Sequence, residues 1–259
     1  MRIIVAGYGL VAESVVRTLI ENHGIDRTNI FCFTYDTLEC AQLIRFLRSK
    51  EIKFSTSLIS NQDAAHDVQD FCPDYIASLY YRHIIPETIL SLAKVNTFNI
   101  HPALLPKYRG CFSAPWAIIN GEIETGITFH EMAPIVDTGN ILWQKTIGIT
   151  ASDTGYSLYH RLCAEAIREF DPFFISLVNG KLKSKKMPAG GSYYSRRLPH
   201  AGTIDSSWDS SKIECFIRAM FFPPFRGATI RHQGKLLEVT SLEEYAQIKA
   251  GANTKVSPL

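Results

Sequence analysis

The sequence predicts an α/β fold: a Rossmann-like, mixed but mostly parallel sheet covered by helices, followed by a small α+β appendage. The first strand is an apolar run from Ile3 to Ala6, closed by Gly7-Tyr8-Gly9. Residues 11–21 then carry apolar side chains at helical spacing. Further apolar runs with helix-length segments between them continue through the first hundred residues. This alternation is typical of parallel strands joined by crossover helices.

The remaining elements follow from the same periodicities. Further strands of the parallel part are predicted at residues 29–33, 52–54, 73–79 and 95–100. Helices are predicted at residues 38–50, 113–120, 157–177 and 211–221. Residues 126–132 and 141–149 read as two antiparallel strands around a turn, so the sheet should be mixed. Two short strands are expected at residues 227–232 and 235–240.

A change in composition marks a domain boundary near residue 185. Four lysines between residues 181 and 186, followed by Gly190-Gly191, are typical of a solvated connector. The sequence therefore predicts a large domain of residues 1–185 and a small C-terminal region of residues 186–259 containing a helix and a β-hairpin.

Composition and charge limit the partners of this chain. Its 259 residues carry 27 basic and 25 acidic side chains, and 46% are hydrophobic. A net charge of +2 gives no broad basic footprint, so nucleic acid is not an expected partner. The six cysteines show no paired spacing, which argues against a zinc site or a disulfide framework and favours a reduced, cytoplasmic protein. No apolar segment approaches the roughly 20 residues that a membrane span requires.

The most informative residues are Asn99, His101 and Asp137. Asn99 and His101 are two apart, so on a strand their side chains share one face, and Pro102 should end that strand. An amide can donate to a developing oxyanion, an imidazole can take a proton near neutral pH, and a carboxylate can orient that imidazole. These three groups are suited to acyl transfer.

These residues belong to a longer pattern. Asn99-x-His101-Pro102, then Leu104-Leu105-Pro106, Arg109-Gly110 and Asp137-Thr138-Gly139 occur in this order. The pattern resembles the folate-dependent formyltransferases, which use N10-formyltetrahydrofolate as donor and include methionyl-tRNA, glycinamide ribonucleotide and nucleotide-sugar formyltransferases. The resemblance covers about residues 1–150 and continues more faintly to about residue 230.

The resemblance implies roles for individual residues. Asn99 would stabilise the oxyanion, His101 would move the amine proton, and Asp137 would hold His101. The folate would be bound by Tyr81, Arg82, Ile84, Leu104, Leu105, Val136 and Asp137. The acceptor would be bound by Tyr80, Arg109, Gly110, Tyr193, Tyr194, Arg196 and Arg197. In the last group, aromatic faces and guanidinium groups stand together, a pairing suited to a base and its phosphates.

The acceptor that the resemblance favours is a nucleotide-linked amino sugar. About seventy residues follow Gly190, whereas methionyl-tRNA formyltransferases carry a longer C-terminal β-barrel and a basic surface. A GDP- or dTDP-linked 4-amino-4,6-dideoxyhexose such as GDP-perosamine, used for surface polysaccharides such as O-antigen, is the closest match. A homodimer is expected. Methionyl-tRNA and glycinamide ribonucleotide formyltransferases remain alternatives.

Two other functions deserve comparison. Gly7-Tyr8-Gly9 fits a loose dinucleotide fingerprint, which would indicate an NAD-linked oxidoreductase, but the acidic residue such a site needs after the second strand is late, at Asp36. We expect these glycines to serve strand-to-helix packing. Asp137-Thr138-Gly139 also occurs in aspartic proteases, but those enzymes need a second carboxylate. For the other histidines, including His130, we expect ordinary hydrogen bonding.

Overall fold

The structure is a computed structural model, and it describes residues 1–250. Its strands are β1 (Ile3–Gly7), β2 (Ile30–Phe33), β3 (Lys53–Ser55), β4 (Tyr75–Leu79), β5 (Asn96–His101), β6 (Arg109–Gly110), β7 (Glu124–Glu131), β8 (Ile141–Gly148), β9 (Tyr193–Tyr194), β10 (Ala228–His232) and β11 (Lys235–Val239). Its helices are α1 (Gly9–Glu21), α2 (Ala41–Ser49), α3 (Gln62–Phe71), α4 (Glu87–Leu90), α5 (Ser113–Ile119), α6 (Gly155–Val178), α7 (Ser210–Met220) and α8 (Leu242–Lys249).

Seven strands form the central sheet in the order β3-β2-β1-β4-β5-β7-β8. The first five pair in parallel, and β7 pairs antiparallel with both β5 and β8. Every residue of β1, β2 and β4 is buried, as expected for parallel strands covered on both faces. The predicted mixed, mostly parallel α/β fold is confirmed.

The long helix α6 covers one face of the sheet beside the site described below. Its start is defined by a capping box, in which the Ser157 N–H donates to the Thr154 hydroxyl and the Ser157 hydroxyl accepts from the Thr154 N–H. Phe173 of this helix packs against Phe98 of β5 and Phe129 of β7, with ring centroids 5.0 and 4.3 Å apart. These buried aromatic contacts pack α6 against β5 and β7.

Some elements differ from the sequence-based prediction. The predicted helix at residues 38–50 is a short 3₁₀ turn, Leu38–Cys40, followed by α2. Helices α3, α4 and α8 were not predicted. In α3 only Ala64 and Val68 are buried, so its apolar stripe is too narrow to give a clear periodic signal.

The predicted boundary near residue 185 lies in a connector, but the two parts share one hydrophobic core. Phe216 and Ile217 of α7 belong to the same buried cluster as Phe98 and Phe173. The short strand β9 pairs with β6, and Lys185 bridges to Ile141 at the start of β8. Residues 251–259 of the predicted C-terminal region lie outside the described residues.

Within residues 1–250, no helix combines the length and the apolar composition needed to cross a membrane.

Candidate active site

The site forms where β5 ends and β7 runs antiparallel beside it. Asn99 and His101 lie on the same face of β5, and the strand stops at His101, as predicted from Pro102. Asp137 lies in the turn between β7 and β8. The His101 Nδ1 and Asp137 Oδ2 atoms are 3.4 Å apart. The structure therefore brings the three predicted catalytic residues together.

His101 is held as a neutral base. Its side chain is 5% exposed, and its Nε2 lies 2.7 Å from the carbonyl oxygen of Tyr108. Because a carbonyl can only accept, Nε2 carries the hydrogen and Nδ1 is left free for a proton. Burial lowers the pKa of His101, although the charge of Asp137 acts to raise it. Neutral imidazole is the form that a general base requires.

Asp137 is held as a carboxylate. Burial alone would raise the pKa of Asp137, but His101, His130 and the backbone N–H of Gly110 lower it to about 2. The N–H of Gly110 donates to Asp137 Oδ2 at 2.8 Å. A permanent negative charge thus faces the free nitrogen of His101, where it can stabilise the imidazolium that forms when that nitrogen takes a proton.

His130 is a site residue that the sequence analysis missed. It pairs directly with Asn99 across β5 and β7 and is 2% exposed. Its Nε2 lies 3.0 Å from Asn99 Nδ2 and 3.4 Å from Asp137 Oδ1. The alternation in β7 was the available signal: Ile127 and Phe129 are apolar core residues, so His130 must face the other side.

Several residues around the site adopt a left-handed backbone conformation, which is unfavourable for residues other than glycine. Tyr80, Tyr108, Phe112 and Asp137 all have φ between +55° and +59°. Each such residue costs on the order of 1–3 kcal/mol and persists only where surrounding contacts hold it. The carbonyl that binds His101 and the carboxylate that faces it therefore both depend on turns stabilised by the rest of the fold.

The residues predicted to bind folate lie in two groups. In the first, Tyr81 stacks on Tyr35 with ring centroids 5.1 Å apart, the guanidinium of Arg82 lies 3.7 Å from the centroid of the Tyr8 ring, and Ile84 is 69% exposed. In this group, Ile84 provides an exposed apolar side chain.

The second group lies beside the catalytic residues. Leu105 is buried, and its backbone is hydrogen-bonded to Thr128 and Gln144. Leu104 and Val136 are partly exposed. The structure therefore gives Leu105 a core position and leaves the other two side chains open to a ligand.

Four of the residues predicted to bind the acceptor meet where β6 pairs with β9. Arg109 pairs with Tyr193, and Gly110 pairs with Tyr194. The C-terminal segment is thus joined to the residue whose N–H binds Asp137. Tyr193 is 56% exposed, whereas Tyr194 is stacked between Tyr108 and Trp116.

A cavity of about 400 Å³ opens beside this pairing. It is lined by Trp116, Tyr193, Tyr194, Ser195, Arg197, Leu198, His200 and Ala201. Arg196 is not among the lining residues; burial raises the pKa of the Cys111 thiol, and the nearby charge of Arg196 acts to lower it. The two adjacent arginines therefore lie in different environments.

Tyr80, another residue predicted to bind the acceptor, lies against α6. Its ring packs against Tyr159, and its hydroxyl is buried without a hydrogen-bond partner among residues 1–250. Burial raises its pKa well above the usual value. The binding role of Tyr80 therefore stays a prediction.

In the turn after β1, Gly7 packs closely against α1 as expected, whereas Gly9 adopts a positive φ of +56°. A Cβ atom on Gly7 would lie 2.4 Å from the Cβ of Ala12, so any larger residue would push α1 away from the sheet.

Comparisons with known proteins agree with the geometry. Residues 1–169 match the formyl transferase family. The chain is 41% identical over 252 residues to the GDP-perosamine N-formyltransferase of Brucella melitensis, covering 96% of each chain. Among solved structures, the N-formyltransferase of Helicobacter canadensis in complex with folinic acid and dTDP-3-aminofucose has a TM-score of 0.76 at 22% identity, covering 92% of this chain and 86% of the other. A 4-N formyltransferase from Francisella tularensis has a TM-score of 0.72 at 20% identity, covering 92% and 96%.

Proposed function

Because this chain belongs to the formyl transferase family, we propose that it transfers the formyl group of N10-formyltetrahydrofolate to the amine of a GDP-linked 4-amino-4,6-dideoxyhexose, with GDP-perosamine as the favoured acceptor. The observation that carries the reaction class is the buried cluster in which the free nitrogen of His101 faces the carboxylate of Asp137 at 3.4 Å, with Asn99 beside it on the same strand. The 41% identity to a GDP-perosamine N-formyltransferase over 96% of both chains supports the choice of acceptor.

Each catalytic side chain has a defined role. The Nδ1 atom of His101 takes a proton from the sugar amine as that amine forms its bond to the formyl carbon. An N–H of Asn99 donates to the formyl oxygen while it carries negative charge. The carboxylate of Asp137 stabilises the protonated His101. The same proton then passes to the N10 nitrogen of the folate as the bond between that nitrogen and the formyl carbon breaks.

The donor would be held on the β5–β7 side of the cluster. Leu104 and Val136 would contact the pterin with their exposed apolar atoms, and the loop containing Tyr81, Arg82 and Ile84 would border it. These assignments rest on the family resemblance together with the exposure of Leu104, Val136 and Ile84.

The nucleotide of the acceptor would occupy the 400 Å³ cavity beside β9. Tyr193 offers an exposed ring for stacking on the base, and Arg197 offers a guanidinium for a phosphate. Arg109 and Gly110 would line the path from this cavity to Asp137, because β6 pairs with β9 at these positions. Pockets of 300–1,000 Å³ are typical of small-molecule sites.

The formylated sugar would serve surface polysaccharide synthesis, such as that of O-antigen, and the enzyme would act in the cytoplasm as a homodimer. Free thiols at all six cysteines are consistent with a reducing compartment.

The test is a substrate panel. The protein is incubated with N10-formyltetrahydrofolate and GDP-, dTDP- or UDP-linked amino sugars, while folate release is followed optically and the sugar by mass spectrometry. We expect the GDP-linked 4-amino sugar to gain one formyl unit with the highest kcat/KM. A preference for a dTDP-linked sugar would overturn the choice of nucleotide, and no formylation of any sugar would overturn the proposed function.

A further inference from the structure

His130 lies at the centre of the catalytic cluster but has no step in the reaction above. Its ring is 2% exposed and lies between two catalytic side chains. Its Nε2 is 3.0 Å from Asn99 Nδ2 and 3.4 Å from Asp137 Oδ1.

The position of the ring hydrogen on His130 follows from its neighbours. The Nδ1 atom lies 2.7 Å from the carbonyl oxygen of Glu131, which can only accept, so Nδ1 carries the hydrogen. In the neutral ring, Nε2 is then a bare acceptor. The only end of the Asn99 amide that can bind a bare acceptor is its NH₂ group.

The carbonyl of Glu131 is itself fixed by the turn that carries Asp137. The Glu131 N–H donates to Asn140 O at 2.8 Å. A Cβ atom on Gly139 would lie 1.8 Å from Glu131 O, so this close approach requires glycine. The turn thereby sets the tautomer of His130 at the same time as it places Asp137.

We propose that His130 is a positioning residue that fixes which end of the Asn99 amide faces the formyl oxygen. The two ends of an asparagine amide have nearly the same shape, and only hydrogen bonding decides between them. With one N–H bound to His130, the second N–H of Asn99 stays on the reacting side. The reversed amide would set its oxygen against the bare nitrogen of His130. This inference rests on the proposed function, since it assigns the amide to a formyl oxygen.

A second possible route from His130 to the reaction runs through Asp137, since that carboxylate is only 3.4 Å from Nε2. The two routes differ in what they need. The amide route requires Asn99, whereas the carboxylate route requires His101 and Asp137 and does not involve Asn99. A double-mutant cycle between His130 and Asn99 therefore separates them.

The experiment compares His130→Leu, His130→Gln, Asn99→Ala and the double variant Asn99→Ala/His130→Leu. Leucine has no acceptor, whereas the oxygen of glutamine can accept from Asn99. We expect His130→Leu to lower kcat about 10²–10³-fold, as for loss of an oxyanion donor, with both KM values within about twofold of wild type. In the Asn99→Ala background the same change should cost less than about threefold, and His130→Gln should recover most of the rate.

A full loss that persists without Asn99, or a His130→Leu variant with wild-type turnover, overturns the proposal. Thermal unfolding and binding of a stable folate analogue check that each variant is folded. A measurement independent of activity is the nitrogen NMR spectrum of the imidazoles in the wild-type protein. It should show His130 with its hydrogen on Nδ1, and a hydrogen on Nε2 overturns the inference whatever the enzyme formylates.

Discussion

Replacing Asp137 with asparagine tests the centre of the proposed mechanism. Asp137 has φ of +55°, and asparagine is among the residues that tolerate this left-handed conformation best. The variant should therefore keep the turn and change only the chemistry. The amide oxygen can still accept the N–H of Gly110 from the Oδ2 position, which also faces His101 Nδ1, so the NH₂ group takes the Oδ1 position beside His130 Nε2. The base would then keep its neighbours but lose its stabilising charge.

The size of the effect follows from the geometry. A full charge on each partner at 3.4 Å gives an attraction of about 5 kcal/mol at an effective dielectric constant of about 20. Since each 1.36 kcal/mol is tenfold in rate, this sets a ceiling of about 10³–10⁴-fold on the loss of turnover. We expect kcat of Asp137→Asn to fall about 10³-fold with both KM values little changed.

The pH profile gives a second readout whose direction is fixed. The charge of Asp137 acts to raise the pKa of His101, against the burial that lowers it. Removing that charge should lower the pKa of His101 further. The acidic limb of kcat/KM should therefore move to lower pH in Asp137→Asn, although the plateau is much lower.

The measurements are steady-state kinetics with both substrates varied, the pH profile, and thermal unfolding. Asp137→Ala serves as the control for the backbone, because alanine is strained at positive φ and should lose stability as well as activity. If Asp137→Asn turns over within about tenfold of wild type with an unchanged acidic limb, Asp137 is only a turn residue and the mechanism is wrong.

Four further results are expected. His101→Asn should bind folate and acceptor almost normally yet lose about 10²–10⁴-fold in kcat, and near-wild-type turnover would remove His101 from the mechanism. Because Arg197 lines the cavity beside β9 and Arg196 does not, we expect Arg197→Ala to raise the KM of the sugar nucleotide, Arg196→Ala to change it little, and both variants to keep the folate KM. If neither variant changes the KM of the sugar nucleotide, the nucleotide binds elsewhere. Titration with NAD or NADP should give no saturable signal in a protein that binds a folate analogue, and micromolar NAD affinity would contradict the packing role of Gly7. Since the pKa of Asp137 is lowered to about 2, its charge should add about 2 kcal/mol of stability above pH 4 that is lost as the pH falls towards 2. Urea unfolding should show a smaller difference in unfolding free energy between wild type and Asp137→Asn at pH 3 than at pH 6, and an equal difference would contradict this prediction.

The strand–helix alternation was predictable because it depends on local periodicity. The runs that became β1, β2 and β4 are apolar along their whole length, which is the pattern of strands covered on both faces. The shared face of Asn99 and His101 needed no more than the alternation of a strand. Helix α3 escaped prediction because only two of its ten residues, Ala64 and Val68, are buried.

The site itself required contacts between distant parts of the chain. His130 is 31 residues from Asn99 and meets it only because β7 pairs antiparallel with β5 in one register. The tautomer of His101 is decided by the carbonyl of Tyr108, a backbone atom that no side-chain motif can indicate.

By itself, therefore, the sequence determined the α/β class, the strand carrying Asn99 and His101, and the turn carrying Asp137, since each is encoded within a short window of residues. Only the tertiary structure decided which nitrogen of His101 is free, that His130 faces Asn99, and that β9 joins the C-terminal segment to Gly110. These depend on register and on backbone hydrogen bonds across tens of residues, and the free energy that selects them comes from packing the whole sheet.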